Sequence, residues 1–410
     1  MKKTLVAIAA LAAFGAQAQS SVQITGYADR GYTDLKSSKA VDSTKTLGSS
    51  AGTTRIEFRG TEDVGGGNKV GFFVETDWSE LGGASQSSAL KTTSQSAGFA
   101  NGESFVSFAT ADKGILKLGA VNSLTFANAT GVASPAFSTG VGSAYSTKFT
   151  TSNGISTGAD GYGGQPQLQT TSATAASTGS RSIRTANTVN YVSPAFMGFT
   201  AGAAFAAKNN NATANSGNGN TVGSKEYGIR YTQGPIDAAY TSIKYTVGSN
   251  GINEYTLTLG AAGTAASTTG TDAVVVANNP LYASAKALAG GLTNTVNTLG
   301  ATYATPVAGL KLHGGLTTSS SSNDLSKSTA TQYGATYTTG AFDLMAQTIK
   351  VDDKSTTDAD RSNLAFGVNY NFSKTSRLYF RNEHIQYVTN KAVYAGSDIK
   401  RTAVGISTSF

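Results

Sequence analysis

From Leu364 to Phe372 every second side chain is large and apolar: Leu364, Phe366, Val368, Tyr370 and Phe372 alternate with Ala365, Gly367, Asn369 and Asn371. A period of two over that length describes a β-strand with one greasy face and one small or polar face. The chain ends on the same pattern, with Val404, Ile406, Thr408 and the terminal Phe410 against Ala403, Gly405, Ser407 and Ser409. Tyr227, Ile229 and Tyr231 alternate with Glu226, Gly228 and Arg230, and Val70, Phe72, Val74 and Trp78 alternate with Lys69, Gly71, Glu75 and Asp77. A water-soluble sandwich alternates too, so the position of the aromatics has to discriminate. Here they recur at strand ends, as in the interfacial girdles of membrane barrels, while Gly and Ala fill much of the opposite face and suit a wet, roomy lumen.

Composition narrows the choice further. Charged residues make up 13% of the chain and glycines 48 of its 410 residues, about half and well above the usual shares respectively. With 39% hydrophobic and 9% aromatic residues the chain is not a disordered one. Its glycines have no three-residue period and it holds six prolines, which excludes collagen and a proline-rich linker. Zero cysteines exclude a disulfide scaffold, a zinc ribbon, an iron–sulfur site and a thiol nucleophile, and two histidines leave no multi-histidine metal site. No cofactor is expected. The 31 basic residues are dispersed without a dense run, so no nucleic-acid partner is expected either, despite the formal charge of +7.

Residues 1–18 read as a secretory signal peptide. Lys2 and Lys3 precede a short apolar core from Leu5 to Phe14, followed by Ala16-Gln17-Ala18 in the small-x-small form that signal peptidase cleaves. The remaining residues, 19–410, form one domain. Its apolar runs are too short for a membrane helix of roughly twenty residues, and an exported chain can still span a membrane as a closed β-barrel.

About sixteen alternating runs can be counted, the first at 21–33, the second at 51–62 and the last at 400–410. Their connectors alternate in length: 63–67, 111–113, 195–197, 234–235 and 373–375 are short, and those in between are long. Short turns on one side and long loops on the other are the layout of an antiparallel transmembrane barrel, with both termini on the short-turn side. Two connectors, 122–182 and 247–294, far exceed the roughly 12–15 residues of an ordinary loop. Each reads either as a surface insert or as a segment folded into the lumen. Tyr255 to Gly260 and Ala273 to Ala277 look like an extra hairpin, which would make eighteen strands if it joined the barrel.

Several segments together resemble the trimeric general porins of Gram-negative outer membranes, most closely their β-proteobacterial branch. They include SVQITGYADRGYT at 21–33, TRIEFRGTEDVGGGNKVGFFVETDW at 54–78, GESFVSF at 102–108, LKLG at 116–119, NTVNYVSPAFMGFTAGAAF at 187–205, YGIRYTQGPIDAAY at 227–240, LGATYATP at 299–306, GVNYNFSKTSRLYF at 367–380 and GISTSF at 405–410. The resemblance implies sixteen antiparallel strands, a homotrimer embedded in lipid and lipopolysaccharide, and a third external loop (122–182) folded into the pore. It also implies passive diffusion of ions and small hydrophilic solutes, and a terminal Phe410 read by the barrel-assembly machinery.

Alternation puts Ile56 and Phe58 toward lipid and Arg55, Glu57 and Arg59 toward the lumen. The family's basic constriction wall then corresponds to Arg55, with Arg59, Lys117, Arg184 and, as an alternative to Arg184, Arg181. Thr188 and Asn190 face inward with Arg184. Two wall positions that often carry arginine in the family hold Ala120 and Asn190, and Asp160 is the sole acid between Val121 and Arg181. Unopposed arginines imply modest anion preference, because one charge at about 5 Å in water is worth roughly 0.8 kcal/mol, a factor near four. The alternative is that these cations pair with Glu57, Glu75, Asp77 or Glu103 and stiffen the wall.

Thr61 to Gly67 reads as a tight turn rather than a metal or phosphate loop, and Gly161 to Gly164 as plain loop. His313 should face the lumen and His384 lie near an external loop, with no serine-and-acid constellation at either, so no enzyme is expected. A diffusion porin leads, followed by a substrate-specific channel for an anionic or small organic nutrient, and then by a closed-lumen adhesin.

Overall fold

The computed structural model describes residues 21–38, 44–77, 99–100, 102–143, 149–151, 154–156, 184–207, 223–246, 293–321, 327–354, 360–387 and 398–410. The proposed signal peptide, Trp78, Asp160, Arg181 and the hairpin at 255–277 lie outside them. The strands are β1 (Ser21–Ser37), β2 (Thr44–Gly48), β3 (Arg55–Gly65), β4 (Asn68–Asp77), β5 (Ser104–Thr110), β6 (Gly114–Asn122), β7 (Phe149–Thr151), β8 (Gly154–Ser156), β9 (Arg184–Val192), β10 (Phe199–Ala206), β11 (Gly223–Gln233), β12 (Ile236–Thr246), β13 (Thr293–Ala304), β14 (Leu310–Ser321), β15 (Lys327–Thr339), β16 (Phe342–Asp353), β17 (Arg361–Asn371), β18 (Ser376–Tyr387) and β19 (Asp398–Ser409). Strands β7 and β8 pair only with each other.

Every other strand pairs antiparallel with its neighbours, and β19 closes on β1 over the register Tyr27↔Ser409 to Ser37↔Ile399. Strands β2 and β3 both pair with β1 and share one place, so the 17-stranded sheet closes as sixteen staves. Closure leaves no edge with unpaired backbone groups, the condition for a sheet to sit in hydrocarbon. Strand β12 pairs directly with β13 from Ile236↔Tyr303 to Thr246↔Thr293. Nothing can be inserted between them, which excludes an eighteen-strand barrel built with the 255–277 hairpin.

The alternation seen in the sequence becomes an outer and an inner surface. Phe108, Ile229, Leu299, Leu316, Phe366 and Ile406 are among the large apolar side chains on the exposed outer face. The C-terminal residue exchanges two backbone hydrogen bonds with Gly26, at 2.9 and 3.1 Å. Its ring lies where a side chain on Gly26 would stand, so glycine is needed there for the closing seam.

Two local features depart from the sequence expectation. The second stave, expected as one run at 51–62, begins only at Arg55 of β3, and β2 at Thr44–Gly48 is a separate piece ahead of it. The carboxylate of Asp29 on β1 explains the break: its Oδ2 accepts backbone N–H bonds from Ser50 and Ala51 at 2.7 Å and from Gly52 at 3.1 Å, drawing 50–52 into the lumen. The second departure is in the 122–182 connector, which begins with a helix, α1 (Leu124–Asn128), continued by a π-type turn over Ala129–Ala133.

Candidate pore constriction

Helix α1 starts at Ser123, whose hydroxyl accepts the Phe126 N–H at 2.9 Å. The other N–H groups of a first turn have no partner inside the helix. Here Glu226 of β11 supplies one, accepting from the Leu124 N–H at 2.9 Å and from the Thr125 N–H and hydroxyl at 2.7 Å each. Asn128 then donates to the Ala239 and Thr298 carbonyls at 3.1 and 2.9 Å. Beyond it the chain lies so close to β13 and β14 that a Cβ on Gly300 or Gly315 would run into Ala133.

The segment continues along the inner wall. Thr302 donates to the Val132 carbonyl at 2.7 Å, and Ser134 bonds the side-chain oxygen of Gln347. Gln347 itself donates to the Gly142 carbonyl at 3.1 Å and touches buried His313 at 3.3 Å. The Gly142 N–H bonds Glu383 at 2.6 Å, and Glu383 is paired with Arg401; both are almost wholly buried. At its far end the Val141 N–H reaches the Ser50 carbonyl at 2.7 Å, so the inward bend held by Asp29 is a docking post. Tyr379 completes that post by donating to Asp29 at 2.6 Å. Residues 124–143 therefore line the inside of the barrel from β10 round to β19.

The wall from β3 to β6, with Arg184 of β9 beside it, carries the predicted cations. Arg55 and Arg59 keep 35% and 46% of their side-chain surface exposed, so the lumen reaches them. Arg55 contacts Glu57 at 2.6 Å and Glu75 at 3.3 Å; Arg59 contacts Glu57 at 2.6 Å; Arg184 lies 3.8 Å from Glu75 and 3.9 Å from Asp77. Glu103 accepts from the Asn122 N–H and side-chain amide at 3.0 and 3.1 Å. The expected pairing of arginines with wall acids is thus present for Glu57, Glu75 and Asp77.

Rings hold the cations in place. Arg55 lies over Tyr27 at 5.7 Å, Arg59 over Phe73 at 5.3 Å and Lys117 over Phe105 at 4.6 Å, and Phe73 stacks on Phe105 at 5.5 Å. These are ordinary cation–π distances. Lys117 points inward as the alternation between Leu116 and Leu118 predicts, and has no carboxylate partner among the described residues. Thr188 and Asn190 are buried inward-facing residues, also as read from the sequence.

Sequence reasoning missed Asp29, Glu226, Gln347, Glu383 and Arg401, which fix the inner segment. It also missed Arg381, a buried side chain of β18 that lies over Phe137 and Tyr379. The available signal was a charged or amide residue at an inward register position, far from the predicted constriction.

The sequence profile of Gram-negative porins matches residues 4–407. The chain belongs to that family. This porin is 51% identical over 77 residues to outer membrane porin protein 32 of Delftia acidovorans, a stretch that spans 18% of its own length and 22% of that relative's. Its fold matches the anion-selective porin from Comamonas acidovorans with a TM-score of 0.64 at 22% identity, over 96% of this chain and 100% of that one. It also matches OmpT of Vibrio cholerae in its trimer form, with a TM-score of 0.57 at 13% identity over 95% and 99% of the two chains.

Proposed function

We propose that this porin forms a water-filled outer-membrane channel for passive diffusion of ions and small hydrophilic solutes, with a modest preference for anions. The observation that carries the reading is the asymmetric lining: an inner segment fastened to β10–β19 while Arg55 and Arg59 on β3 stay open to the lumen. A segment fixed at both ends narrows a pore without having to move during transport. Anion preference also draws support from the relative described as anion-selective.

The working particle is a homotrimer set in lipid and lipopolysaccharide, by analogy with the trimeric OmpT. Export uses cleavage after Ala18, and the barrel-assembly machinery reads Phe410, whose ring lies exposed on the outer face beside the closing seam. Arg55, Arg59, Lys117 and Arg184 form the cationic side of the constriction, with Glu57, Glu75, Asp77 and Glu103 as their acidic counterparts.

Purified protein in a planar bilayer under a KCl gradient tests the function. Ohmic conductance with a reversal potential on the chloride side supports it. Conductance that saturates and is blocked by one solute favours a substrate-specific channel, and absence of conductance overturns the channel reading.

A further inference from the structure

We propose that Lys225 and Lys244, side by side on the outer face near the long-loop rim of the barrel, clamp the phosphate of an outer-leaflet lipid. The inference rests on the outer-membrane channel reading above and adds a site on the surface that faces away from the pore. In the register of β11 with β12, Lys225 stands directly opposite Lys244. Both side chains are exposed, whereas their neighbours along each strand, Ser224, Glu226, Ile243 and Tyr245, are buried on the inner side. Tyr227, the next outward residue of β11 after Lys225, is exposed as well.

Directly opposed residues of an antiparallel pair have their Cβ atoms about 4.5–5.5 Å apart, and like charges placed so destabilise the sheet. Among the described residues neither lysine makes an ion pair. The side chains beside them on the outer face are Phe205, Tyr227, Ser242 and Thr295, none of them acidic. An anion lying between the two ammonium groups removes the repulsion, and lysine binds phosphate as a point charge. Thr295, opposite Lys244, and Ser320, opposite Thr295, continue the row with hydroxyls able to donate to phosphate oxygens.

Depth selects a lipid as the source of that phosphate. Counted from the short turn at 234–235, the runs from Gln233 back to Lys225 and from Ile236 on to Lys244 match the roughly 9–11 residues with which a tilted strand crosses the hydrocarbon core. The lysines therefore stand where acyl chains give way to headgroups. Ile229 and Leu299 lie exposed on the same outer face nearer the short-turn side, the surface that a lipid's chains cover. Phe205, exposed directly beside Lys225, adds an apolar flank at the upper end of those chains.

Other outward lysines near the same rim sharpen the choice. Lys36 and Lys400 are also directly opposed, across the closing seam. There, however, Lys36 contacts Asp34 at 3.4 Å, and Asp398, which lies 3.6 Å from His384, shares the outer face with Lys400. The seam lysines have acids of their own. Lys350 of β16 stands opposite Thr331 and Ser362, a single cation rather than a pair.

Binding of dioleoylphosphatidic acid to the intact porin in an uncharged detergent, titrated by native mass spectrometry and by the shift in thermal unfolding, tests the site. Dioleoylglycerol, with the same chains and no phosphate, should give no shift. Lys225→Gln and Lys244→Gln should each weaken phosphatidic acid binding about fivefold, the effect of one lysine at a lipid surface. Lys36→Gln with Lys400→Gln should stay near wild type. Lys244→Glu replaces a like-charged pair by an opposite one, so the lipid-free protein should unfold no lower than wild type while its response to the lipid is lost. That variant carries the test if the glutamine variants fail to assemble. Equal phosphatidic acid binding by wild type and the Lys225 and Lys244 variants overturns the inference, as does an equal response to dioleoylglycerol. A shift produced by inorganic phosphate alone overturns the lipid as occupant. Planar-bilayer conductance of the same variants should match wild type, because both lysines face away from the lumen. A wild-type protein that binds the lipid but does not conduct sinks the channel reading and leaves this site standing.

Discussion

The two halves of the lumen wall carry similar residue types and use them differently. On the covered side, from β10 to β19, charged and amide groups are buried: Glu226, Gln347, Glu383 and Arg401 hold backbone groups of the inner segment or each other. On the open side Arg55 and Arg59 contact the same kinds of partner while remaining partly in water. Burial turns a carboxylate into a structural rivet, because an uncompensated buried charge is expensive, whereas a wetted pair is worth about 0–1 kcal/mol.

The sharpest break of that comparison is Glu383→Ala against Glu57→Ala. The first takes the buried Glu383 carboxylate away from Arg401 and from the Gly142 N–H, and should destabilise the barrel by about 3–5 kcal/mol. The second should cost about 0–1 kcal/mol. Urea unfolding of the detergent-refolded protein measures both, and equal losses would erase the distinction between the walls.

Glu226→Ala comes next. It removes three hydrogen bonds from the start of α1, and buried donors left unsatisfied cost about 1–3 kcal/mol each. The segment should loosen at one end while the barrel stays assembled, seen as higher and noisier single-channel current. A quiet, unchanged current would show that the distal contacts at Gly142 and Val141 hold the segment alone.

Two glycines extend the comparison to sterics. Gly315→Val drives a side chain into Ala133, whereas Gly131, in the π-type turn, has open space for 4 Å around the place a Cβ would take and no left-handed backbone. Gly315→Val should change conductance measurably, and Gly131→Ala should leave it near wild type. The smallest effect belongs to Arg230→Gln with Asp237→Gln, which removes an exposed pair beside the short turn at 234–235 and should alter stability by less than about 1 kcal/mol in the same urea assay.

Most of the barrel was legible in the sequence because its lipid-facing rule repeats every two residues. Leu364 to Phe372 and Val404 to Phe410 announce their strands without help from any other part of the chain. The break at 50–52 was not legible, since its cause, Asp29, lies on another strand and acts through a carboxylate that sequence spacing cannot aim. Helix α1 was hidden for a similar reason: Leu124–Asn128 is only five residues long, far below the length at which a helix is stable alone. Contacts with β11 to β13 hold it. At the constriction, alternation correctly turned Arg55, Arg59 and Lys117 inward, but it could not tell which of them a neighbouring acid would cancel.

The sequence by itself determined that the chain alternates, that runs such as Leu364 to Phe372 turn one apolar face outward, and that short and long connectors take turns. Local periodicity is enough for these, because each strand's two faces meet different solvents. Tertiary structure decided which inward charges are spent on holding the inner segment and which are left facing the lumen. That choice depends on contacts between residues more than two hundred positions apart, such as Gly142 with Glu383 and Ser134 with Gln347, which only ring closure brings together.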